Sequence, residues 1–271
     1  MNTTTNTIIA VLGCAVLGGA CVGEVGDPEL DETVDNLVKA GFPRADIRIH
    51  EGAAYVGNDA KVSLAASREM IRSSVAAGSR EQYRTSNLVS RNVRSICIRG
   101  HADARFDGAA VGVLAQGANL AMANYNELNL VFTMRFVGEG QSTAGCDAII
   151  EATVVDGFGG VAGFPENGLP FGNIEIGIGL ASFGVDVAEH VITHELGHAV
   201  GFRHSDFYDR SISCGGASVD EGQDDVGAIH IPGTPTDAEA GGSLMNSCFR
   251  AQETGEFAQG DIVALRLGYG L

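Results

Sequence analysis

The stretch that decides the reading is Val191-Ile-Thr-His194-Glu195-Leu-Gly-His198-Ala-Val-Gly201-Phe-Arg-His204. His194 and His198 stand at i and i+4, so on a helix their rings leave one face and both reach a single metal ion at ~2.0–2.1 Å, with Glu195 alongside. Gly201 tolerates the left-handed backbone that ends a helix, and the turn it makes brings His204 toward the metal from another side. Three imidazoles leave the fourth position of a zinc ion open to water, which is the pattern of a catalytic site. The metal polarises a scissile carbonyl and acidifies the water, while Glu195 accepts the water proton and passes it to the leaving amine. Hydrolysis of a peptide bond is the expected chemistry.

The other histidines are set aside on spacing. His190 lies one turn before His194 on the same face. It is ~12 Å from His198 along the axis at ~1.5 Å per residue, too far for one ion, and reads as a helix-start or supporting residue. His50, His101 and His230 have no ligand spacing.

Working outward, the segment from Ser95 predicts a strand at Ser95–Arg99, a helix from about Asp107 to Asn126, and strands at Leu128–Val137, Asp147–Val155 and Asn173–Gly177. Glycine-rich loops such as Gly157–Gly163 lie between them. The metal-binding helix, from about Val187 to Val200, is followed by a long turn-rich stretch and a last helix from near Asp261. That order describes a mixed α+β domain with one twisted sheet.

Before this domain, Asp27–Ala40 carries Leu30, Val34, Leu37 and Val38 at helical spacing, closed by Gly41 and Pro43. Ala54–Val62 reads as two short strands around Gly57-Asn58-Asp59, and Ser63–Ala76 as a helix with a Ser cap. The segment Ser79–Arg99, with Arg80, Arg84, Arg91, Arg94 and Arg99, reads as an exposed linker, and the domain boundary is placed near residue 80. Residues 22–80 thus form a propeptide-like module and residues 81–271 the catalytic domain.

From Ile8 to Ala20 every residue but Cys14 is apolar or small, a run that suits the core of an export signal and falls short of the ~20 residues needed to span a bilayer. Residues 1–21 are therefore expected to be a signal peptide, although the leader MNTTTNT lacks the usual Lys or Arg, and no transmembrane segment is expected. Val-Leu-Gly-Cys14 and Gly-Gly-Ala-Cys21 each resemble a lipoprotein box, while Ala20 could end an ordinary signal. Secretion and lipid anchoring at the bacterial cell envelope both stay open. Cys97, Cys146, Cys214 and Cys248 remain for pairing in an oxidising compartment in three ways that sequence does not select among; Cys97–Cys146 with Cys214–Cys248 is the favoured set.

Hydrophobic residues make up 45% and charged residues 19% of the chain, which fits a globular protein. A formal charge of -17 repels phosphate backbones, so nucleic acid is excluded as a partner.

The extended zinc motif, followed by Met245 in the tight turn Gly241-Gly-Ser-Leu-Met245-Asn-Ser-Cys248, resembles the metzincin superfamily. The longer string His-Glu-Leu-Gly-His-Ala-Val-Gly-Phe-Arg-His-Ser-Asp206 is similar to a narrower group, the myxobacterial protease B family of dual-action HEIGH metallopeptidases, with Leu196 where the family nickname has Ile. Glu81-Gln-Tyr-Arg84, Gly163–Ile178, Ser211–Gly216, Gly227–Pro235 and Ser243–Arg250 extend the likeness over residues 81–271.

This resemblance implies a metzincin-like α+β fold: a twisted, mostly parallel sheet with a backing helix and the active-site helix, above an irregular lower subdomain. One catalytic Zn2+ would be held by His194, His198 and His204, with Met245 as the floor beneath it. Substrate, a protein or peptide, would lie along a sheet edge, for which the strand Asn173–Gly177 is the candidate. Asn246, Ser247 and Cys248 follow the Met where some relatives place an oxyanion-stabilising Tyr, leaving Tyr208 as a weak substitute. Gly57-Asn58-Asp59 resembles the Gly-Asp element by which some propeptides block zinc, although a plain hairpin turn is the preferred reading. Ca2+ at Asp220, Glu221, Asp224 and Asp225 is only weakly supported, because the loop lacks EF-hand spacing.

A secreted zinc endopeptidase is the leading expectation. The alternative, a non-catalytic zinc-containing surface lipoprotein or binding module, has no chemical need for Glu195 beside the first ligand. Zinc-dependent hydrolysis of a non-peptide amide is a third reading that the motif permits.

Overall fold

Asp27 accepts a hydrogen bond from Glu29 N and, with Pro28 at the first position, starts α1 (Pro28–Lys39). The computed structural model describes residues 27–71, 82–222, 227–235 and 237–271. The expected signal peptide with Cys14 and Cys21, the boundary near residue 80 with Arg80, and Asp224 and Asp225 lie outside the described residues.

A short meander follows α1: β1 (Arg48–His50), β2 (Ala53–Val56) and β3 (Ala60–Val62), each antiparallel to the next. α2 (Leu64–Met70) begins at Ser63, whose hydroxyl accepts from Ala66 N. β4 (Tyr83–Arg84) leads into β5 (Ser95–His101), and Asp107 caps α3 (Gly108–Glu127). Then come β6 (Thr133–Val137), β7 (Ala148–Val155), β8 (Gly160–Gly163), β9 (Asn173–Gly177), a 3-10 turn at Ile178–Phe183 and α4 (Val185–Ala199). α5 (Ser211–Cys214), β10 (Ile229–His230) and α6 (Gln259–Tyr269) complete the described elements.

Eight strands form one sheet in the order β1-β2-β3-β8-β9-β7-β5-β6. The pairs β5–β6, β5–β7, β7–β9 and β3–β8 are parallel, and β8–β9 is antiparallel. Ile96, Ile98, Ile150, Ile174 and Ile176 cover one face of the sheet with a continuous apolar layer. Leu114, Ala118, Ala121 and Met122 of the backing helix α3 and Val187, Val191 and Ile192 of α4 pack in the same core. Gly117 permits the close approach of these two helices, since a Cβ there would lie 2.7 Å from Glu189 N. A second cluster, with Val34, Leu37, Phe42, Val56, Val62 and Met70, joins the N-terminal module to Phe164. Disulfides link Cys97 to Cys146 and Cys214 to Cys248, the favoured set. No helix among the described residues is long and apolar enough to cross a membrane.

Three expectations are corrected. Asn173–Gly177, the candidate edge, is an interior strand flanked by β8 and β7. The glycine-rich stretch taken as a loop contains β8, and two of its glycines, Gly160 and Gly163, answer to space rather than to turn formation. A Cβ at Gly160 would lie 2.6 Å from Glu195 Cδ, and one at Gly163 2.8 Å from the Phe171 ring. The strand expected from Leu128 starts only at Thr133, because Leu128 ends α3 and Leu130 bridges to Gly270.

Candidate metal centre

Every residue of α4 from Val187 to Ala199 is buried, so its polar side chains must find partners inside the protein. The helix stops where Gly201 takes φ +108°: Gly201 N donates to His198 O (2.8 Å) and Phe202 N to Gly197 O (2.9 Å). Asn87 O packs so closely that a Cβ at Gly201 would lie 2.5 Å from it. The chain then runs against β4, with Arg203 N donating to Tyr83 O at 2.9 Å, and delivers His204 to the two helical histidines.

Each ring is oriented through its Nδ1, which donates to Leu244 O from His194 (2.9 Å), to Phe202 O from His198 (2.8 Å) and to Glu221 Oε1 from His204 (2.8 Å). With Nδ1 carrying the proton, the Nε2 lone pairs face one another. His204 Nε2 is 3.2 Å from the Nε2 atoms of both His194 and His198. A tetrahedral zinc with bonds of ~2.0–2.1 Å has ligand-to-ligand edges of ~3.3–3.4 Å, so the three nitrogens fit such an ion. Asp59 brings a fourth ligand atom to the same cluster, with Oδ2 3.2 Å from His204 Nε2 and Oδ1 buried without a hydrogen-bond partner among the described residues. Oriented lone pairs beside an orphaned carboxylate oxygen are the donor set of a metal cation.

Beneath the rings, Met245 Sδ presses on Gly197, which lies between the two helical histidines, and no Cβ would fit at that position. The turn carrying Met245 is held by Asp261, whose carboxylate accepts from Leu244 N (2.9 Å), Ser243 Oγ (2.7 Å), Ala258 N (2.9 Å) and Gln82 Nε2 (2.8 Å). Asp206 ties the same turn to α5, accepting from Ser247 N at 2.9 Å and Ser213 Oγ at 2.6 Å.

Glu195 is 2% exposed, and its Oε2 has no partner among the described residues. Burial, and then the nearby Asp59 carboxylate, push its carboxyl well above the usual range, as a proton-accepting group needs. Burial also drives the His194 and His198 rings well below theirs, keeping them neutral and available as ligands. Burial alone would lower His204 too, but the carboxylates of Asp59 and Glu221 outweigh it and hold this ring well above its usual range, so a metal ion binding at Nε2 would displace a proton there.

Several roles differ from expectation. Asp59 sits in a hairpin turn with Gly57 at φ +63° and Asn58 at φ +81°, and that same turn points its carboxylate at the histidines. Glu221, expected in a solvated acidic loop, is buried between His204 Nδ1, Arg203 Nη2 (3.5 Å) and Arg210 Nε (3.1 Å), which removes it from any calcium site in that loop. The hydroxyl of Tyr208 accepts from Ala238 N at 2.9 Å, so it is engaged outside the zinc cavity. His190, set aside on spacing, does lie outside the cluster, 4% exposed with Nδ1 donating to Thr254 O. The role of Glu221 behind His204, and of Arg203 and Arg210 as partners of Glu221, escaped the sequence reading, since nothing in their spacing marks it.

A comparison with curated protein sequences gave no significant match. Among solved structures, the chain is similar to high choriolytic enzyme 1, a hatching enzyme zinc-protease from Oryzias latipes (medaka fish), at 16% identity and TM-score 0.35 over 63% of this chain and 88% of that one. It is also similar to myroilysin, at 13% identity and TM-score 0.38 over 68% of this chain and 86% of that one. The model of the dual-action HEIGH metallo-peptidase family matches residues 54–269, from β2 through α6, and the chain belongs to that family of zinc metallopeptidases.

Proposed function

We propose that this chain is a secreted zinc endopeptidase that cleaves extracellular proteins, with His194, His198 and His204 as metal ligands and Glu195 as general base. The observation that carries the reading is the convergence of three oriented Nε2 atoms, with that of His204 3.2 Å from each of the other two, beside the buried Glu195 carboxylate, whose Oε2 has no partner among the described residues. Zinc bound there supplies Lewis-acid chemistry, polarising the scissile carbonyl and acidifying water. Glu195 takes the proton of the attacking water and returns it to the departing amine. Burial of Glu195 at 2% exposure raises its basicity for that transfer, and Gly160 leaves the space its carboxylate needs. Two disulfides support an oxidising, exported setting.

Asp59 supports a latent precursor. Its carboxylate occupies the position that water or substrate would need, and β3 pairs with β8 alongside the cleft, so the module carrying Asp59 must be displaced before catalysis. A non-catalytic binding module would leave the buried base Glu195 without a role.

The test is release of peptides from casein by the purified chain after limited trypsin treatment, with and without a zinc chelator, beside Glu195→Ala. Loss of activity in both controls is expected. A wild-type chain holding stoichiometric zinc that cleaves nothing, trimmed or untrimmed, would make the binding-module reading the better one.

A further inference from the structure

Beside the histidine cluster lies a cavity of about 290 Å³ whose lining includes Asp59, His190, Glu195, Arg210 and Phe249. Arg210 is its cationic wall. The Arg210 backbone N donates to Val219 O at 2.9 Å, and its Nε faces Glu221 Oε1 at 3.1 Å, an ion pair too bent for a hydrogen bond. Glu221 is shared among Arg210, Arg203 and His204, so one carboxylate stands against two guanidinium groups and does not saturate Arg210. With Nε anchored, Nη1 and Nη2 are the atoms left for another partner.

That partner in this structure is Asn58. Arg48 Nη1 lies 3.3 Å from the Asn58 carboxamide on one side and Arg210 on the other. With its oxygen turned toward Arg210, that one oxygen accepts from both Nη1 and Nη2, at 2.6 Å from Nη2, in place of the single contact to Arg48. Asn58 immediately precedes Asp59, the residue at the histidines. A chain whose carboxylate sits at the metal position therefore places the neighbouring side-chain oxygen on Arg210. His190 Nε2, buried and without a partner among the described residues, adds a second polar group to the same cavity.

Resting on the peptidase reading, we infer that Arg210 is a specificity-determining residue, selecting substrates with a short, oxygen-bearing side chain, Asp or Asn, at a residue flanking the scissile bond. Asn58 stands in for that side chain in the precursor. An apolar substrate side chain in its place would leave Nη1 and Nη2 desolvated and unpaired.

The experiment maps cleavage sites by mass spectrometry in a denatured protein mixture, using the full chain activated by limited trypsin treatment. It then compares kcat/KM on matched peptides carrying Asp, Asn or Leu at each flanking position. Enrichment of Asp or Asn at one position is expected, with kcat/KM about tenfold or more above Leu. Arg210→Gln is expected to reduce that ratio to about threefold or less, and Arg210→Lys to retain part of it. A wild-type chain that cleaves without such a preference, or a preference that survives in Arg210→Gln, overturns the inference and leaves the peptidase reading standing. If thermal melts show Arg210→Gln unfolded, the wild-type peptide comparison decides alone. A wild-type chain that cleaves neither peptides nor casein overturns the peptidase reading and this inference with it.

Discussion

Asp59 Oδ2 lies 3.2 Å from His204 Nε2, the same separation that His204 Nε2 keeps from the Nε2 atoms of His194 and His198. The carboxylate of the N-terminal hairpin is thus spaced from the nearest ring as another ligand of one tetrahedral ion would be.

Replacing Asp59 by Ala should therefore remove the competing ligand without touching the histidines. We expect the untrimmed Asp59→Ala chain to release peptides from casein at least about tenfold faster than the untrimmed wild type, the lower end of what a charge-assisted contact contributes. Equal rates from the two untrimmed chains, with the trimmed wild type active, would remove Asp59 from the latency account.

Glu221 holds His204 through Nδ1 at 2.8 Å and is the shared counter-charge of Arg203 and Arg210. Glu221→Gln should weaken zinc affinity by about 10–100-fold, the usual cost of losing a carboxylate behind a ligating imidazole. Competition with a chromogenic chelator measures it. Unchanged affinity would mean that His204 is oriented by the Gly201 turn alone.

Gly160 approaches Glu195 so closely that a Cβ would lie 2.6 Å from its Cδ. Gly160→Ala should displace the carboxylate and lower kcat by about 100-fold, the effect of roughly 1 Å of misplacement at a reacting group. A kcat within about twofold of wild type would show that the strand, rather than the base, gives way.

His190 offers a pH test of stability. Burial depresses its folded-state pKa, only partly offset by the hydrogen bond to Thr254 O. Unfolded, it binds a proton near pH 6.5 while the folded ring does not, so stability attached to this ring is present above about pH 6.5 and is lost as pH falls below it. Relative to His190→Gln, the zinc-loaded wild type should lose stability between pH 7.5 and pH 5.5, read from urea melts. Parallel stability curves for the two proteins would mean that the ring charges in place.

The local half of the site was readable before any coordinates. His194 and His198 share a face because the helix repeats every ~3.6 residues, and Gly201 ends that helix with the positive φ its lack of a Cβ permits. Met245 in its turn of small residues, now beneath Gly197, was equally plain. β8 stayed hidden because glycines carry no strand signal, while the need for them comes from Glu195 and Phe171 packed against that strand. Glu221 looked like part of a solvated acidic run because charge spacing alone cannot reveal that Arg203, Arg210 and His204 surround it.

The sequence by itself determined the helix that sets His194 and His198 on one face with Glu195 beside them, and its stop at Gly201, since these follow from backbone periodicity and from the one residue without a Cβ. Tertiary structure alone decided that β9 is interior, that Asp59 reaches the histidines and that Asn58 meets Arg210. The first depends on β8 pairing with β9 and the other two on β3 pairing with β8, contacts between distant segments whose register is set by the packing of the whole sheet rather than by either strand's own residues.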